Sequence, residues 1–180
     1  MNADRGSPQR VVIVNGPAGV GKTTIGRLLA ARAANGVCIH GDALSDFIVT
    51  RVAGSVEQGL GYVNGATIAA NYLRAGYGLV VFEYCFEHPR HVQRFLDAYD
   101  AAAPVSLFTL WAPLELLQQR EGSRDGRRRL GDRVEACYRS MQANLDGLGH
   151  VLENLDAPER IAETLDELSL AGGLSPNRRS

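Results

Sequence analysis

The chain has 180 residues, 45% of them hydrophobic and 22% charged, which suits one soluble domain with a proper core and is short for two. Its formal net charge of -1 lacks the basic footprint of a general nucleic-acid binder. No stretch approaches the roughly 18 apolar residues of a membrane span, so no membrane partner is expected.

Residues 1–9 are polar, lack the apolar core of a signal peptide and are expected to be a flexible N-terminus, with the protein cytoplasmic. A single domain is expected over 10–170. The apolar run Val11-Val12-Ile13-Val14 predicts a strand buried on both faces. A glycine-rich loop follows, then a helix over 22–34 that presents Ile25, Leu28, Leu29 and Arg32 at helical spacing and stops at Asn35-Gly36. Residues 37–40 form a second strand, ending at Gly41-Asp42. From 44 to 75 the pattern is helical but interrupted by Gly54, Gly59, Gly61 and Gly65, which predicts two helices with a mobile connection.

A third strand is expected over 79–82, a helix over 89–102, a fourth strand over 105–111, and a helix over 113–121 with proline at its start. After an arginine-rich stretch, a helix from Asp132 carries Val134, Cys137, Tyr138, Met141, Leu145 and Leu148 on one face. Val151-Leu152 lies in a fifth strand, and 158–168 forms the last helix. The tail over 171–180 reads as disordered. Alternating strands and helices predict an α/β fold with a parallel sheet.

Residues Gly16-Pro17-Ala18-Gly19-Val20-Gly21-Lys22-Thr23 satisfy G-x-x-x-x-G-K-[ST] in full, between a buried strand and a helix. The glycines let backbone N–H groups converge on phosphate oxygens, at the positive end of the following helix. Lys22 would neutralise the β- and γ-phosphates, Thr23 would offer its hydroxyl to Mg²⁺, and Thr24 could reach the α-phosphate. Lys22 is also the only lysine, the other eighteen basic residues being arginine, so the bias spares the position where a compact ammonium suits best. With neither an Asn-Lys-x-Asp base-reading motif nor an Asp-x-x-Gly switch after a strand, ATP is favoured over GTP.

Asp42 follows the second strand, where a parallel sheet would set it near the phosphate loop. It could accept a proton from an attacking hydroxyl, or it could simply cap the next helix; the residues leave both readings open. Glu83, at the end of the third strand, could hold a water of the Mg²⁺ shell or the substrate, or be an ordinary strand-end residue. Glu87, His88 and His91 fit no zinc pattern, and no metal beyond Mg²⁺ is expected. Cys38, Cys85 and Cys137 are odd in number and show no ligand spacing; the first two fall inside expected strands, and all are read as core thiols.

Arg120, Arg124, Arg127, Arg128, Arg129 and Arg133 surround one glycine-punctuated loop, either a solvated face or a lid over ATP at about 121–132. Arg128 and Arg129 look like surface, whereas Arg120, at a helix end, could stack on the adenine ring.

In combination, Gly16-x-x-Gly19-x-Gly21-Lys22-Thr23, Gly41-Asp42-x-Leu44, Leu117-x-x-Arg120 and Gly131-Asp132-Arg133-Val134 resemble the P-loop small-molecule kinases. The chain looks most like the chloramphenicol phosphotransferase-like group, and its Gly-Asp-x-Leu is similar to gluconate kinase and adenylylsulfate kinase. The resemblance covers about 11–168. It implies a three-layer P-loop NTPase fold with a five-stranded parallel sheet in the order 2-3-1-4-5. It also implies Asp42 as general base, with Arg133, Arg127 and Arg124 as lid residues on the phosphates. Two positions depart from the pattern. Shikimate kinases carry an additional acid where this chain has His40, and Glu83 stands where the chloramphenicol group has aspartates.

The expected activity is ATP·Mg-dependent phosphorylation of a small-molecule hydroxyl. The expected acceptor pocket is lined by Asp42, Phe47, Tyr62, Asn64, Glu83 and Phe86. The rival readings are a polynucleotide-end kinase and a nucleotide-binding switch or resistance protein that transfers no phosphate to a small molecule.

Overall fold

The computed structural model of the chain describes residues 8–50, 52, 59–122 and 131–172. The apolar runs become the strands β1 (Arg10–Asn15), β2 (Gly36–His40), β3 (Leu79–Glu83), β4 (Val105–Trp111) and β5 (His150–Glu153). They pair in parallel as one five-stranded sheet in the order β2-β3-β1-β4-β5. Between them run α1 (Lys22–Ala31), α2 (Gly41–Asp46), α3 (Leu60–Arg74), α4 (Pro89–Ala98), α5 (Leu114–Gly122), α6 (Asp132–Gln142) and, last, α7 (Pro158–Leu170). This is the three-layer P-loop NTPase architecture.

The central strand explains the layering. Successive side chains of β1 point to opposite faces. Val11 and Ile13 join a core with Ala66, Ala69 and Leu73 of α3 and Val92 and Phe95 of α4. Val12 and Val14 join another with Ile25 and Leu29 of α1, Leu117 of α5 and Ile161 and Leu165 of α7. Arg10, at the entrance of β1, is buried too, and its guanidinium bonds Ser169 and Asp166 of α7. A buried charge of this kind is tolerated because it is both paired and hydrogen-bonded.

Several helix ends differ from the sequence expectation, two of them for a local reason. Helix α4 stops at Ala98 rather than 102 because Tyr99 turns extended, stacks on Phe95 and donates its hydroxyl to Ala103 O at 2.9 Å. Helix α1 stops at Ala31, three residues before 34. Helix α6 ends at Gln142, where Asn144 Nδ2 caps Ser140 O at 2.7 Å, so Leu145 falls in a separate 3₁₀ turn. Cys85 lies beyond the end of β3, not within a strand. Among the described residues, no helix is long and apolar enough to cross a membrane.

The register brings the carboxyl ends of the strands together. Glu83 of β3 lies level with Val14 of β1 and with His40 of β2. The loop after β1 and the start of α2 therefore emerge on one side of the sheet, which is where ligands bind in open parallel sheets.

Candidate active site

The loop between β1 and α1 has a backbone only glycine can follow. Gly16 and Gly19 have φ of 143° and 82°, and a Cβ on either would stand 2.6 Å from Leu110 O or 2.7 Å from Leu117 O. Such contacts would push the loop off β4 and α5, so the packed loop shape depends on bare backbone. Val20 is fully buried beneath it, and Asn154, in the β5–α7 connection, donates its amide to Val20 O. Lys22 folds back over the loop, donating to Gly16 O at 2.8 Å and Pro17 O at 3.0 Å. Its ammonium is thereby held where the loop amides converge.

Next to Lys22, Thr23 Oγ1 donates to Glu83 Oε1 at 3.1 Å. Glu83 is only 2% exposed, and His40 Nδ1 reaches the same carboxylate oxygen. The carboxylate can only accept, so Nδ1 carries the proton. The extra acid of shikimate kinases is thus replaced by an imidazole bonded to the acid on β3. Glu83 is not a solvated strand end.

A cavity of about 620 Å³ opens over this cluster. Its phosphate side is formed by Ala18, Gly19, Gly21, Lys22 and Thr23, with His40 and Glu83 at its floor. Asp42 and Asp46 of α2, Cys85 and Glu87 after β3, and Arg133 and Cys137 of α6 complete the wall. Asp42 is the second residue of α2, whose cap position is His40, and no side-chain capping bond is made there. Asp42 is thus not the cap residue itself, but it is an acid in the first turn of α2.

The residues expected around the acceptor divide. Phe86 is fully buried, within ring-packing distance of Phe82, Tyr84 and Phe95, and belongs to the core rather than to the cavity. Tyr62 does not line the cavity either. Its ring stacks on His91 with centroids 4.7 Å apart, and its hydroxyl donates inward to Cys85 O at 3.0 Å. Burial above all pushes its phenol well up from the ordinary value. Asn64 is exposed on α3, and Phe47, 78% exposed after α2, points away from the cavity lining. These four were chosen for residue type near the right helices, but α3 turns its apolar face to the sheet and takes Tyr62 with it. Of the loop residues, Thr24 is exposed and Pro17 and Val20 are buried; none of the three lines the cavity. Arg120, half-buried at the end of α5, is also outside its lining. Arg124, Arg127, Arg128 and Arg129, and most of the expected lid, lie outside the described residues, as do 1–7 and 173–180 of the expected flexible ends.

Three features had no signal in the sequence. Asn15 fixes the chain after β3 by donating to Phe86 O at 3.1 Å and accepting from Phe86 N at 2.7 Å. Asp46, Glu87 and Glu121 join the cavity lining, Glu121 being 5% exposed. Cys38 of β2 packs against the core as a separate thiol, but Cys85 Sγ and Cys137 Sγ stand 3.2 Å apart in the cavity wall. Their mutual hydrogen bond, with burial, raises the pKa of Cys85, and the same bond, more than any other cause, lowers that of Cys137.

The family model described as AAA domain matches residues 11–148. No curated protein matches the sequence. Among solved structures, a sugar kinase from Janibacter sp. HTCC2649 is 19% identical with a TM-score of 0.63, over 93% of this chain and 97% of the other. The tunicamycin resistance protein of Deinococcus radiodurans is 17% identical with a TM-score of 0.65, over 94% and 99%. The shikimate kinase of Acinetobacter baumannii, in complex with shikimate, is 23% identical with a TM-score of 0.57, over 93% and 97%. At these identities the likeness shows a shared fold.

Proposed function

The chain belongs to the AAA domain family of P-loop proteins, and on that premise we propose that it transfers the γ-phosphoryl group of ATP to a hydroxyl of a small molecule. The observation that carries this reading is one cavity lined jointly by the phosphate loop, the Thr23–Glu83 pair and the carboxylate of Asp42.

The donor set fits ATP·Mg. The glycines let the loop pack against β4 and α5 in a glycine-rich turn whose amides would suit polyphosphate oxygens, and a hydroxyl beside a buried carboxylate suits a hard cation that prefers oxygen ligands and retains waters. Thr23 would hold Mg²⁺ directly, with Glu83 acting through a bound water. When bound, ATP·Mg supplies the transferable phosphoryl group and part of the charge neutralisation. Lys22, bonded to Gly16 O and Pro17 O over the loop, would give up those bonds for phosphate oxygens and supply its charge there. Asp42 takes the proton of the acceptor hydroxyl as its oxygen attacks. Arg133, on the first turn of α6, lines the opposite wall and would meet the phosphates; the roles of Arg124 and Arg127 on the phosphates and of Arg120 on the base are proposed from the sequence alone. A general base contributes about 10²–10⁴ in rate, and orientation of the two reactants the larger share.

The wall also suggests the acceptor's charge. Asp42, Asp46 and Glu87 line it, while Lys22 and Arg133 are the cationic lining residues among those described. With those two assigned to phosphate, the acceptor faces carboxylates, so a neutral or cationic polyol or amino alcohol fits better than a carboxylic acid. Near-neutral net charge likewise disfavours a polynucleotide end.

The test is incubation with ATP·Mg and a panel of neutral, cationic and anionic hydroxyl compounds, read by mass spectrometry for a phosphoryl adduct. A phosphorylated neutral or cationic alcohol supports the reading. Tight ATP binding with no adduct from any class would leave a nucleotide switch as the better account.

A further inference from the structure

We propose that Cys85, Glu87 and Cys137 form a binding site for a thiophilic divalent cation, Zn²⁺, in the wall of the cavity. One ligand atom from each of the three residues falls within 4.8 Å of the others. They come from two separate parts of the fold, the segment leaving β3 and the helix α6, so no sequence spacing announces them.

Two thiolates and a carboxylate are a complete set of three protein ligands for tetrahedral zinc, leaving the fourth position open to the cavity. Two sulfurs on one zinc, each at about 2.3 Å, stand roughly 3.8 Å apart. The observed separation of 3.2 Å needs each thiol to retreat by only a few tenths of an ångström. A disulfide would instead require closure to about 2.05 Å, and it would leave the convergent carboxylate of Glu87 without a purpose. The thioether of Met141, fully buried, closes the far side at 3.9 Å from Cys85 Sγ and 4.0 Å from Cys137 Sγ.

The ligands are also held in place by outer partners, as metal ligands need to be. Asn15 bonds both backbone groups of Phe86, the residue between Cys85 and Glu87, and Tyr62 bonds the carbonyl of Cys85. On the other side, the turn of α6 that carries Cys137 is fastened by Tyr138, stacked on Trp111 with centroids 4.5 Å apart. With their two protons released to water, the thiols and the carboxylate carry three negative charges. That exceeds the charge of the dication and offsets the nearby Lys22. The site is chemically distinct from the oxygen donors Thr23 and Glu83, so it does not depend on the phosphotransfer reading.

The experiment uses the full chain, reduced with a phosphine and stripped of metal, titrated with Zn²⁺ alone against a chromophoric chelator and separately with Co²⁺. We expect one Zn²⁺ per chain and thiolate-to-cobalt charge-transfer bands with tetrahedral d–d absorption. Cys85→Ser and Cys137→Ser should each weaken Zn²⁺ binding beyond the roughly 10–100-fold that loss of an outer partner costs. Glu87→Gln should weaken it less, and Cys38→Ser not at all. Should a cysteine variant fail to fold, the wild-type cobalt spectrum and Glu87→Gln decide the matter. Cobalt spectra without thiolate bands, Zn²⁺ affinity indifferent to these substitutions, or a reduced protein that takes up no zinc although its cysteine pair oxidises to a disulfide would each overturn the proposal.

Discussion

The two walls of the cavity are built in opposite ways. On the phosphate side, Ala18, Gly19, Gly21, Lys22 and Thr23 all come from one short stretch, and one strand, one loop and one helix set their geometry. On the other side, Asp42, Asp46, Cys85, Glu87 and Cys137 come from α2, the segment after β3 and α6, which meet only because the sheet is ordered β2-β3-β1-β4-β5. A contiguous wall constrains its residues to one arrangement, whereas an assembled wall can change its chemistry by single substitutions without touching the loop. Under the phosphotransfer proposed above, the first wall would carry the phosphate chemistry and the second would set the choice of acceptor.

The sharpest way to break that comparison is Asp42→Asn. It removes the proton acceptor from the assembled wall while leaving the loop intact. Phosphoryl transfer should fall about 10²–10⁴-fold with ATP affinity nearly unchanged in calorimetry. Unchanged turnover would eliminate Asp42 as the base. Phe86→Ala tests where the assembled wall ends. Because Phe86 is in the core, its truncation should cost about 3–5 kcal/mol in urea unfolding. Acceptor KM should not move below the melting temperature, and an altered KM with intact stability would return Phe86 to the cavity.

The same asymmetry decides what could be read from the residues. The phosphate loop was legible because eight consecutive positions encode a backbone shape; alternating apolar runs pointed to a parallel sheet, and only the family resemblance implied its strand order. Phe86 and Tyr62 were misplaced because a residue type near the right helix does not say which face it occupies. The Cys85–Cys137 meeting was invisible because 52 positions separate the two, and only the docking of α6 against the chain after β3 joins them. His40 was legible as a departure from the shikimate kinase pattern. Its pairing with Glu83 was not, because parallel register, not sequence distance, makes them level.

A smaller effect is expected where the contiguous wall has its one distant support. Asn154 donates to the carbonyl of buried Val20, and no residue near the loop in sequence replaces it. Asn154→Ala leaves that carbonyl without its partner, a loss of about 1–3 kcal/mol, and should weaken ATP binding more than it affects acceptor KM. If ATP affinity is unchanged, the loop is self-sufficient and the contrast between the walls is even stronger than drawn here.

The mildest effect is a pH dependence behind the assembled wall. Tyr62 gives its single hydroxyl proton to Cys85 O, so His91 Nδ1, at 3.1 Å, donates its own proton to the tyrosine oxygen. Burial foremost, then the charges of His88, Arg90 and Arg94, lowers the His91 pKa from 6.5 to about 4. Between those two values the unfolded chain binds a proton that the folded chain refuses. The contribution of His91 is therefore whole above about pH 6.5 and declines as pH falls toward about 4. Because the ring is only half-buried, solvent screening keeps the effect small. His91→Gln can still donate to Tyr62 but cannot titrate, so its urea midpoint should lose less than the wild type's when pH is lowered from 7 to 5. Parallel losses in the two proteins would place the acid sensitivity elsewhere and leave the Tyr62–His91 stack as packing alone.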